Sequence, residues 1–174
     1  LRAPNHTGRK AHPHNMNMTP THRGGATVGR LQDYDDLAAT AVVYLRMWCD
    51  GPKTQSTVIT DLVNTLGSGK GHKAIETFAD LCGMCIQHGR RPLVRHDVHC
   101  KCVGADEASF AHFIATAAEG QREDAMMIAI LLVRPDMAAA VTTLAMHFGF
   151  ALKQMKLTTP RVMTHTPTYQ PTLH

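Results

Sequence analysis

Aromatic residues are scarce in this chain. Phe, Tyr and Trp make up 5% of its 174 residues, and tryptophan occurs once. A core must then be assembled from Leu, Ile, Val, Ala and the ten methionines. Long apolar runs are missing too: the longest, Ala125 to Val133, falls far short of the ~20 residues that cross a bilayer. No transmembrane helix is expected. Residues 1–30 hold Pro, Gly and polar groups but no apolar stretch that could serve as a secretory signal, so the cytoplasm is the expected location. Nor is there a run of alternating β-branched residues, which makes a sheet unexpected.

Familiar catalytic patterns are also absent. The chain has no H-E-x-x-H, no Glu-x-x-His pair for a di-iron bundle and no G-x-S-x-G. LGSGKGHK, at 66–73, has the look of a phosphate loop but fails the pattern. Asn64 stands where the first glycine belongs, Gly71 follows the lysine in place of Ser or Thr, and no strand precedes it. It reads as a flexible link between helices. His112 and His147 fall in helical segments without acids at ligand spacing and read as packing or surface residues. No catalytic residue is nominated.

The net charge of +4 changes meaning once it is placed along the chain. Seven of the 18 Lys and Arg lie in residues 1–30 and 156–174, which contain no acid. Residues 31–155 keep the other 11 against all 14 acids, so the body is net acidic. The two ends, rich in Pro, Thr, His and Gly and without apolar periodicity, read as disordered tails. The basic first tail, with Arg2, Arg9, Lys10, Arg23 and Arg30, could touch phosphates without sequence preference.

Between the tails the periodicity is helical. LQDYDDLAATAVVYLRMWC repeats apolar residues at three- and four-residue steps behind Asp33, Asp35 and Asp36, which suit the positive end of a helix dipole. TQSTVITDLVNTL gives a second helix, and GSGKG is expected to break it from a third, KAIETFADLCGMCIQH. A fourth helix lies within GADEASFAHFIATAAEG, with Asp106 as its expected N-cap and Gly120 as its stop. QREDAMMIAILLV, apolar on every side after its charged start, is expected to be a central helix. DMAAAVTTLAMHFGFALKQM supplies the sixth. The expected fold is all-α: a single domain, 31–155, of about six helices packed as an irregular bundle, with a Cys/His-rich loop between helices three and four.

That loop carries the strongest chemical signal. CGMCIQHGRRPLVRHDVHCKC, residues 82–102, holds four of the five cysteines. Cys82 and Cys85 are three apart on a helix and share a face, while Cys100 and Cys102 are two apart and share a side if extended. Facing one another, the pairs would make the tetrahedral sulfur shell of structural Zn2+. His88 and His99 are the substitute ligands. A C-x-x-C redox pair belongs at a helix N-terminus after a strand, whereas this one sits near a helix C-terminus. Structural disulfides suit an exported chain. Iron–sulfur binding lacks its usual C-x2-C-x2-C cluster. Buried cysteines acting as small hydrophobes are the plain alternative. Arg90, Arg91, Arg95 and Lys101 would offset the charge of the thiolates or meet phosphates.

A connection from Gly89 to Gly104 is long for a bundle, and metal binding would order it. Three functional expectations follow. The chain is a zinc-stabilised adaptor or regulator binding a protein partner or a second copy of itself. Alternatively, it is a nucleic-acid-binding regulator using the basic loop 90–101, or a metal-dependent enzyme with Cys/His ligands.

Overall fold

The computed structural model describes residues 25–158, and most of the two tails expected at 1–30 and 156–174 lies outside them. Six helices pack in a bundle, as the periodicity predicts: α1 (Asp36–Asp50), α2 (Pro52–Leu66), α3 (Ser68–Gln87), α4 (Ala105–Ala118), α5 (Arg122–Leu132) and α6 (Ala138–Thr158). One expectation fails at once. Thr27–Arg30, placed in a tail by its composition, forms strand β1 and pairs antiparallel with β2, Cys102–Gly104. Backbone pairing drove this rather than an alternating apolar pattern: Arg30 stands opposite Cys102 and Gly29 opposite Val103. The Leu31 N–H extends the ladder by donating to the Lys101 carbonyl at 2.9 Å. Val103, fully buried, ties the small sheet to Ala38, Val42 and Ala111 of α1 and α4.

Helix boundaries follow local chemistry. The Asp35 carboxylate accepts from the Leu37 and Ala38 N–H groups at 2.8 and 3.0 Å, so it caps α1 and satisfies two donors the first turn leaves open. Gly51 and Pro52 make the corner into α2, Pro taking the first helical position where its missing N–H costs nothing. The expected break GSGKG shrinks to Gly67 alone, whose φ of 79° suits glycine, and α3 begins at Ser68. Of the two glycines behind it, Gly71 serves contact. A Cβ on Gly71 would lie 2.7 Å from Val63 Cα, so the bare residue lets α3 rest directly on α2.

Phe78 of α3 is the middle of the core. Its ring stacks on Phe148 of α6 at 4.3 Å between centroids, with Trp48 edge-on at 5.3 Å. Phe110 and Phe113 of α4 are equally buried, so the few aromatics concentrate where the helices meet. The expected central helix is peripheral. Helix α5 buries Ala125, Ala129 and Leu132 but leaves Met127 66% and Leu131 60% exposed. Small alanines on its inner side let it pack closely without being surrounded. Among the described residues no helix is long and apolar enough to cross a membrane.

Candidate functional site

The connection between α3 and α4 is fastened by two consecutive acids in the first turn of α4. Gly104 is the N-cap and Asp106 lies inside the helix, a correction to the expected cap. Glu107, three residues past the cap, reaches back to accept from the Gly104 N–H at 2.8 Å, which frees Asp106 for the loop. There Asp106 takes two hydrogen bonds from the Arg91 guanidinium, at 2.6 and 2.5 Å, and one from the Val94 N–H at 2.8 Å.

Glu107 does more. Arg46 of α1 donates to it through Nε at 2.7 Å and Nη2 at 2.8 Å, a two-pronged pair with both side chains fully buried. The His96 backbone N–H and ring Nδ1 add contacts at 2.8 and 2.9 Å. Five hydrogen bonds thus converge on one carboxylate from α1, the loop and the helix cap. Burial pushes Glu107 toward the neutral form, but Arg46, the Gly104 N–H and His96 outweigh it and hold the carboxyl below its usual range. Asp106 behaves alike: desolvation raises it, and Arg91 and the Val94 N–H bring it lower. Arg46 also donates to the carbonyls of Cys100 and Cys102 at 2.6 and 2.5 Å.

That arrangement decides the fate of the four cysteines. Cys82 and Cys85 share the inner face of α3, 2% exposed each, and belong to the core. Cys100 and Cys102 are half-buried on the far end of the loop, where they serve Arg46 through their carbonyls, and Cys100 Sγ accepts the Cys102 N–H at 3.4 Å. The two pairs are not brought into one shell. Among the described residues, no group of three or more His, Cys, Asp or Glu side chains is placed to hold a metal ion. The physical reason lies in the loop, whose shape is set by Arg46, Asp106 and Glu107. His88 caps α3, its carbonyl accepting from the Arg134 N–H at 3.0 Å, and His99 is exposed, its N–H bound to Asp97.

Beside the first pair lies a cleft of about 690 Å³. Its apolar floor comes from Leu45 and Trp48 of α1, Ile86 of α3 and Leu93 of the loop, and Cys82, Cys85 and Cys49 open onto it. Cys49 escapes a reading of spacing because it comes from α1; its one sequence signal is its place four residues after Leu45 on the buried side. Burial, then the neighbouring sulfurs, push the Cys82 thiol well up, and burial with Cys49 takes Cys85 to about 12. Burial also raises Cys49, with Arg95 opposing. Burial thus favours the neutral thiol at all three, which makes them poor nucleophiles.

Three of the four expected cations, Arg90, Arg91 and Arg95, line this cleft, while Lys101 does not. Arg91 is matched by Asp106. Arg90 donates to the Ile130 carbonyl at 3.1 Å and Arg95 to the Cys49 carbonyl at 2.9 Å, and among the described residues neither has a carboxylate partner. Both keep unused N–H donors at the mouth. The result is an apolar hollow with two uncompensated guanidiniums on its rim.

No family model, curated protein or solved structure matches this chain.

Proposed function

We propose that this chain is a non-catalytic binding module, and that its cleft receives an acidic segment of a protein partner anchored by one apolar side chain. The observation that supports the reading is the pairing of an apolar floor with Arg90 and Arg95, which have no carboxylate partner among the described residues. Leu45, Trp48 and Leu93 offer a water-excluding seat for a leucine-sized group. The guanidiniums above it favour flanking carboxylates through two-pronged hydrogen bonds. Ile86, 73% exposed at the cleft, extends the apolar contact outward. Asp106 and Glu107 hold the loop in place beforehand, so little ordering cost remains for the partner to meet. Lys101 does not border the cleft, so only three of the four cations of the basic loop converge there, which favours the peptide reading over a phosphate-tracking regulator.

Trp48, the only tryptophan in the chain, sits in the cleft and reports on it directly. A panel of Glu-rich peptides, each with a single Leu, Ile or Phe, is titrated while Trp48 emission is followed. The expected result is a saturable change for at least one anchor that weakens as salt rises. The Arg90→Glu, Arg95→Glu double variant should lose it with an unchanged far-ultraviolet circular dichroism spectrum. Flat titrations for the whole panel at low ionic strength, up to about 1 mM peptide, would reject the proposal.

A further inference from the structure

A second hollow, independent of the cleft, lies between α3 and α6, and its volume is about 240 Å³. Lys70 and Lys73 border it from α3, and His147 and Phe150 from α6, with Thr77 between them. Of the chain's five phenylalanines, Phe78, Phe110, Phe113 and Phe148 are fully buried, while Phe150 is 60% exposed. Helical spacing explains the contrast. Residues two apart point to nearly opposite sides, so the ring of Phe148 on Phe78 obliges Phe150 to face outward. The core therefore has no use for an aromatic at 150.

Charge around the hollow is of one sign. Helix α6 contains no Asp or Glu, and no acid borders the hollow. The other described lysines of α6 are engaged elsewhere, Lys153 with Glu119 and Lys156 near Asp35 and Asp36. Among the described residues Lys70 and Lys73 have no ion-pair partner. An exposed aromatic face, two unmatched ammonium groups and a side-chain hydroxyl and imidazole for hydrogen bonding make up a set that suits a base and its phosphate.

We infer that this hollow binds a nucleoside phosphate unit, the base stacked on Phe150 and the phosphate held between Lys70 and Lys73. Such a unit is supplied either as a free nucleotide or as part of a single strand, and stacking makes the site tolerant of base identity. His147 borders the hollow where a hydrogen bond to the sugar or base edge is available, and the Thr77 hydroxyl, which donates to the Lys73 carbonyl at 2.8 Å, keeps acceptor capacity there.

The test uses the full chain in two arms. In one, fluorescence anisotropy follows a fluorescein-labelled oligothymidylate of about fifteen bases at about 50 mM salt and above. In the other, adenosine monophosphate is titrated while the ring protons of Phe150 and His147 are followed by NMR. The expected result is salt-sensitive binding in at least one arm, weakened about tenfold or more in Phe150→Ala and in the Lys70→Glu, Lys73→Glu double variant. The Arg90→Glu, Arg95→Glu variant should bind as the parent does, which separates this site from the cleft. Response to the nucleotide alone identifies the free ligand as sufficient; response to the strand alone identifies the polymer. No response in either arm overturns the inference. So does binding that survives both α3 and α6 variants, because the basic residues outside 25–158 would then account for it.

Discussion

Glu107 is one carboxylate serving five donors, and Arg46, its partner, is as deeply buried as it is. Breaking such a pair from one side strands a charge in the interior, so Glu107→Gln should lose about 3–5 kcal/mol of stability in urea titrations. A loss below about 1 kcal/mol would show that the carboxylate does not fasten the loop. The pH dependence has a definite sign. Asp106 and Glu107 are both held below their usual range, so their contribution is present in full above the unfolded carboxyl value, ~4, and fades as pH falls through the lower folded values. The variant should show a flatter acid branch than the parent. The sequence carried a trace of this pair: Arg46 interrupts the apolar stretch of α1, where an unpaired cation would be costly. Its partner was not legible, because Asp106 next door satisfied the expected capping role and Glu107 lies 61 residues away.

Helix contacts show the same division between local and distant information. The apolar period marked all six helices, since each must turn one face inward. It could not separate Gly67, which ends α2, from Gly71, which lets α3 touch α2, because both glycines look alike in a one-dimensional pattern. The structure makes them distinguishable by experiment. Gly71→Ala forces a methyl against Val63 Cα at 2.7 Å and the Leu62 carbonyl at 2.9 Å, and should destabilise by about 1–3 kcal/mol. Gly69→Ala, with nothing within 4 Å of the new methyl, should be neutral or gain up to ~1 kcal/mol from helix propensity. Equal effects in thermal melts of the two variants would mean that α2 and α3 are not in backbone contact. For α5, the misreading had another source. Small alanines on the inner side and large apolar groups outside give a uniform profile, and only packing reveals which side faces the core. Strand β1 was hidden for a similar reason, its partner lying more than seventy residues on.

At the scale of the molecule, the buried carboxylates Asp106 and Glu107 fasten the long connection. Extensive dialysis against a chelator should therefore leave the melting temperature unchanged. A fall of more than about 3 °C, reversed by adding zinc, would restore the sulfur-shell account. The spacing of the cysteines was legible and their destination was not. A C-x2-C pair on a helix fixes which face the sulfurs share, whereas whether a second pair meets them depends on how α1 and α4 hold the intervening chain. The Arg46–Glu107 pair also constrains the history open to this chain. Losing either member first leaves an ion without its counterpart, while replacing both together by apolar residues of similar size is tolerable. Descendants should accordingly keep or exchange the two as a unit, and a homologue with only one of them should show the loop between α3 and α4 rebuilt.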